Sequence, residues 1–149
     1  MILYLDASAL VKRYISEVGS PQVEALIGQS DVIGTSLVSR AEVATALARA
    51  ARRGMLLRDQ AKAALLVFRA QWPRLARLQL TEPLLARADA LAWDYGLRGY
   101  DAVHLAAALF WQETLREPVT LATFDQQLWQ AGQVAGLAVW PMSLDPLQL

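Results

Sequence analysis

The chain has 149 residues, 55% of them hydrophobic, which suits one domain and is enough to bury a core. Fourteen basic residues balance fourteen acidic ones; the molecule as a whole therefore lacks the basic surplus of many nucleic-acid binders, and any recognition of a polyanion rests on local charge. There is no cysteine, which excludes disulfide frameworks, thiolate nucleophiles and cysteine zinc sites and suits a reducing compartment.

The opening stretch MILYLDASAL has no basic region ahead of its apolar residues and reaches Asp6 at once, so it does not read as a signal peptide. Ile2 to Leu5 reads as a buried strand, followed by a helix through Tyr14. Ser20 and Pro21 offer an N-cap and a first-turn proline for another helix, and Asp31 to Thr35 makes a second strand. From Leu37 to Arg53 apolar residues crowd one side of a helix while Glu42, Thr45, Arg49 and Arg53 line the other, and Gly54 supplies the stop. A helix runs from Arg58 toward Trp72 before Pro73, Ala76 to Leu80 reads as a short strand, and Leu84 to Tyr95 and Tyr100 to Leu115 are helical. Val119 to Ala122 and Leu137 to Val139 complete the strands. The longest strongly apolar run, Leu105 to Trp111, is far short of the ~20 residues that span a bilayer. The expectation is a soluble, cytoplasmic protein with one domain over residues 1–149, an α/β fold with a mostly parallel central sheet flanked by helices.

Four carboxylates stand at helix beginnings. Asp6 follows the first strand, Glu42 opens the helix after the second, Asp101 opens the helix before the fourth, and Asp125 opens the helix after it. Helices covering a parallel sheet run antiparallel to its strands, so their N-termini gather at the edge where such folds bind ligands. Each acid also has an ordinary explanation, since a first-turn carboxylate complements the helix dipole by ~0.3–1 kcal/mol. Ser39-Arg40-Ala41-Glu42 even spells a capping box. LYLDAS and LATFD, however, both end an apolar strand on a carboxylate with a hydroxyl, Ser8 or Thr123, two residues away. Clustered carboxylates repel one another unless cations occupy the cluster, and an oxygen-rich set without cysteine suits Mg²⁺ or Mn²⁺.

MILYLDASALVKRY, SLVSRAEVATAL, LRGYDAVHLAAAL and LATFDQQL together resemble the four successive acidic motifs of PIN-domain ribonucleases, especially the VapC-type toxins of toxin-antitoxin pairs. The resemblance spans nearly the whole chain and implies a PIN-like three-layer fold. It makes Asp6, Glu42, Asp101 and Asp125 the catalytic quartet, with Ser8 and Thr123 as supporting hydroxyls. The implied activity is endoribonuclease cleavage by metal-activated water: Asp6, Asp101 and Asp125 would be ligands of Mg²⁺ or Mn²⁺, and Glu42 a ligand or a water-orienting base. It also implies an RNA substrate and a cognate antitoxin whose tail would lie in an apolar groove and reach the acids with a basic side chain.

Charge is uneven along the chain. Between Arg49 and Arg77 stand eight basic residues against the single acid Asp59. They form either a solvated helical hairpin or a phosphate-holding rim; Arg49, Arg52 and Arg53, assisted by Lys12 and Arg13, are the RNA-binding candidates. His104, one helical turn after Asp101, is the only histidine. With no second histidine to make a metal pair, it is assigned to packing or an ordinary hydrogen bond. Mean hydropathy of +0.26 and stretches such as AALLVFRAQW and AALFWQETL exceed what single helix faces bury, so a homodimer is expected. A haloacid-dehalogenase-like phosphatase would need a second aspartate where Ser8 stands, and a response-regulator receiver needs an early acidic pair. The remaining alternative is a PIN-like module that grips RNA or a protein without cutting.

Overall fold

Period-two alternation in β1 (Ile2–Leu5) sends Leu3 and Leu5 to one face of the sheet and Tyr4 to the other, and all three are fully buried. A strand buried on both faces belongs in a parallel sheet between two helical layers. The computed structural model, which describes residues 1–144, has that form. β2 (Val32–Ser36) and β3 (Ala76–Leu78) lie to one side of β1, and β4 (Val119–Ala122) and β5 (Ala138–Trp140) to the other. The order is β3-β2-β1-β4-β5, and every neighbouring pair is parallel.

Four helices cover one face: α1 (Ala7–Leu10), α2 (Ser20–Gly28), α3 (Ser39–Arg52) and α4 (Arg58–Gln71). They bring Leu10, Val23, Val43, Leu47 and Phe68 onto Leu3 and Leu5. On the other face, α5 (Glu82–Tyr95), α6 (Gly99–Leu115) and α7 (Gln126–Val134) pack Leu84, Leu105 and Leu128 around Tyr4 and Leu121. The helix α6 is apolar on nearly all sides and is buried from Asp101 through Leu109, as a central helix must be. Its Trp111 ring lies so close to β2 that a Cβ on Gly34 would sit 2.6 Å from it, so only glycine fits there.

Several local expectations change. The helix after β1 lasts one turn as α1 and tightens into a 3-10 turn at Val11–Arg13. Ser20 is not an N-cap: Gly19, at φ 90°, takes that position. The Ser20 hydroxyl instead ties the preceding loop, donating to the Ile15 carbonyl at 2.7 Å and accepting from Glu17 N at 3.0 Å. Nor does the capping box form. The α3 cap is Val38, and Ser39 lies inside the helix, fully buried, 2.6 Å from the Thr35 hydroxyl. Thr35 gives its proton to the Leu5 carbonyl at 2.6 Å, so Ser39 is the donor to Thr35. The pair fastens α3 to β1 and β2, leaving Glu42 for other work.

Topology places the opening. The chain lays β2 and β3 to one side of β1 and then returns to set β4 against its other side. Such a reversal opens a crevice beyond the carboxyl ends of the two strands, the usual ligand position in open α/β sheets. Asp6 and Thr123 are the residues that follow β1 and β4.

Candidate active site

Asp6 is held from several directions. Its amide donates to Ala122 O at 3.2 Å, and its Oδ1 caps α1 by accepting from Ala9 N at 2.9 Å. The Ser8 hydroxyl lies 2.7 and 2.9 Å from the two carboxylate oxygens, and Thr123 Oγ1 donates to Oδ2 at 2.7 Å. These hydroxyls in turn accept from Phe124 N at 2.9 Å and Asp125 N at 3.0 Å, lacing the two strand ends together. Burial raises the Asp6 pKa above the ordinary carboxylate value, opposed by the hydrogen bonds it accepts from Thr123, Ser8 and Ala9.

Asp101, in the first turn of α6, accepts from Arg98 Nε at 2.9 Å; Arg98 Nη2 donates to Asp125 Oδ2 at 2.7 Å. One exposed guanidinium thus bridges two carboxylates. Asp125 also caps α7, accepting from Leu128 N at 2.9 Å. Burial raises the pKa of Asp101 while the Arg98 hydrogen bond lowers it. Glu42, in the first turn of α3, places Oε1 2.7 Å from His104 Nε2. All four carboxylates line one cavity of about 400 Å³ with Ser8, Arg49, Arg98, Tyr100 and His104.

Carboxylate and hydroxyl oxygens without thiols are a donor set that fits Mg²⁺ or Mn²⁺. Among the described residues, no three histidine, aspartate or glutamate side chains stand together closely enough to hold one ion as they lie. The positive charge between Asp101 and Asp125 comes from Arg98 instead.

The basic candidates divide. Arg49 lines the acidic cavity, whereas Arg52 lines a separate groove between α3 and α4 with Arg58 and Lys62. Arg53 is exposed at the end of α3. Lys12 donates to Glu17 at 3.0 Å and the Val18 carbonyl at 2.7 Å and lies 4.3 Å over the Phe124 ring; Arg13 pairs with Glu24 at 3.8 Å. Of those five, Arg49 is the one that lines the acidic cavity, and on α3 sequence neighbours point to different faces of the helix. Sequence reasoning passed over Arg98, although its i,i+3 spacing from Asp101 is a readable signal. It also set aside His104, whose partner is 62 residues away.

Parallel sheet, crevice and acidic cavity are those of a PIN domain, and the PIN-domain family model matches residues 3–133. The chain is 36% identical over 146 residues to ribonuclease VapC45 of Mycobacterium tuberculosis, covering 97% of this chain and 99% of that one. It belongs to the VapC-type PIN-domain ribonucleases. Solved structures agree on the fold. FitAcB from Neisseria gonorrhoeae aligns with TM-score 0.62 and 20% identity over 99% of this chain and 100% of that one. A toxin-antitoxin complex from Klebsiella pneumoniae aligns with TM-score 0.61 and 19% identity over 93% and 95%.

Proposed function

We propose that the four-carboxylate cavity is where this VapC-type toxin endoribonuclease hydrolyses RNA, with Mg²⁺ or Mn²⁺ held by Asp6, Asp101 and Asp125. The observation that carries this reading is the convergence of acids from four distant chain positions on one cavity at the sheet's switch point. A divalent ion held there would supply Lewis-acid activation of water and neutralisation of charge developing on the phosphate. The chain's own residues prepare the ground. Ser8 and Thr123 fix both oxygens of Asp6. Arg98, with its side chain 73% exposed, is free to swing away and release Asp101 and Asp125 for ligation. Glu42 is the water-orienting base or a further ligand.

Arg49 is the cavity's phosphate-facing cation in this reading. Arg49→Gln lowers the salt dependence of RNA binding by roughly 0.7 in the log–log slope, the share of one single-strand phosphate contact. Arg53→Gln leaves that slope unchanged. Fluorescence polarisation with total RNA across a salt series, in chelator so that no strand is cut, checks both.

The partners follow from family membership and from the surface. A cognate antitoxin neutralises the toxin by setting a basic side chain among the acids, taking the place between Asp101 and Asp125 that Arg98 holds. A homodimer covers exposed apolar groups such as Leu66, Val67, Phe110 and Trp93. Among the described residues no helix is long and apolar enough to cross a membrane. Expression alone arrests growth, and co-expression of a small protein encoded beside it restores growth. A folded protein that is strictly monomeric and harmless would overturn the toxin assignment.

A further inference from the structure

His104 is the one buried titratable side chain at the cavity to which the metal reading gives no part. It is 1% exposed, and both ring nitrogens are engaged. Nε2 lies 2.7 Å from Glu42 Oε1, and Nδ1 lies 2.8 Å from the hydroxyl of Tyr4, a fully buried residue of β1. The two rings meet edge to face at 5.9 Å. A carboxylate only accepts, so Nε2 carries the proton that faces Glu42, and the Tyr4 hydroxyl, which can donate or accept, anchors the ring at Nδ1.

The chain Tyr4, His104, Glu42 runs from the centre of the sheet to the wall of the cavity and crosses three elements, β1, α6 and α3. A histidine serving only the core would satisfy its nitrogens inside it; this one spends Nε2 on a carboxylate whose side chain is 23% exposed. A glutamate in a first helical turn has several rotatable bonds and, without such an anchor, would sample solvent. With Oε1 taken by the imidazole, Oε2 is the oxygen left for water or a ligand in the cavity.

We propose that His104, backed by Tyr4, is a positioning residue of the cleavage site that fixes Glu42 with one oxygen on the protein core and the other presented to the cavity. The inference rests on Glu42 belonging to that site. Outer-shell partners that orient site carboxylates typically matter by 10–100-fold. His104→Phe keeps a ring of similar size but no donor and lowers the maximal rate on total RNA with Mn²⁺ by about 10–100-fold, with little change in the RNA concentration giving half that rate. His104→Gln, whose amide nitrogen reaches toward the Nε2 position, keeps most of the rate. Tyr4→Phe removes one hydroxyl and gives a smaller loss, which keeps the test open should His104→Phe not fold.

A spectroscopic readout is available because the chain has a single histidine. In protein labelled with ¹⁵N-histidine, the one imidazole is the Nε2-protonated tautomer, and its signals move in Glu42→Gln and in Tyr4→Phe. A folded His104→Phe with the parent rate, or an Nδ1-protonated ring unmoved by Glu42→Gln, overturns the positioning role and leaves the rest of the site standing. If Glu42→Gln itself cuts RNA at the parent rate, it is Glu42's place in the site that falls, and the inference with it.

Discussion

Asp101→Asn and Asp6→Asn each abolish RNA cleavage, a loss of at least about a thousandfold, or about 4 kcal/mol of transition-state stabilisation. Both changes are nearly isosteric and remove a negative charge, so a site that needs anionic oxygens loses them while its shape persists. Asp101→Asn still offers Arg98 a carbonyl oxygen. In Asp6→Asn the amide oxygen can still accept from Ala9 N and Ser8, and the Thr123 hydroxyl turns toward Ser8, 3.4 Å away. The fold control carries a sign of its own. Burial raises the pKa of both carboxyls in the folded protein, so their favourable contribution is present below the ordinary carboxylate range, near pH 4, and is lost as pH rises through the raised values. Asparagine has no such loss. In chelator, melting temperatures of the two variants therefore gain on the parent as pH rises from the acid range toward neutrality. Cleavage gels on total RNA and melts on the same samples decide the matter: a variant that cuts like the parent removes its residue from the site.

Phe68→Ala destabilises the protein by ~3–5 kcal/mol, the range for truncating a fully buried phenylalanine. The helix α4 buries only Ala61 and Phe68, so this ring is its main anchor. It meets Tyr14 and Trp72 edge to face at 5.2 and 5.4 Å, geometry that adds to area burial. Tyr14 in turn donates to Gln71 at 2.8 Å, so the cavity left by alanine would loosen the packing of α4 against the 3-10 turn that follows α1. Urea unfolding should show a lower midpoint with an unchanged slope. A cost below about 1 kcal/mol would mean that α4 is held chiefly by other contacts.

Much of the plan was legible because its signals are local or periodic. Short apolar runs gave all five strands to within a residue or two, and the alternation with helices gave the parallel sheet. That topology, applied to Asp6, Glu42, Asp101 and Asp125, was enough to expect them at one edge. Ser8 and Thr123 were readable because each stands two residues from an acid at a strand end. Cross-chain contacts were not readable. The Arg49 to Arg77 cluster is dense in sequence, yet α3 and α4 turn its members to different faces, and only Arg49 of the RNA-binding candidates reaches the cavity. The Ser39 to Glu42 pattern read as a cap because nothing local reveals that Thr35 claims Ser39 or that His104 claims Glu42. Arg98 illustrates both cases: its bond to Asp101 follows helical spacing, while its bond to Asp125, 27 residues on, depends on α6 packing against β4 and α7.

The central claim is that carboxylates at the end of the sheet cut RNA through a bound divalent ion. Its most direct test is cleavage of total RNA by the purified protein in excess chelator, followed by return of Mg²⁺ or Mn²⁺. Cleavage is expected to stop in chelator and to resume when either ion is restored, with Asp101→Asn inactive throughout; full cleavage in chelator would contradict the metal mechanism.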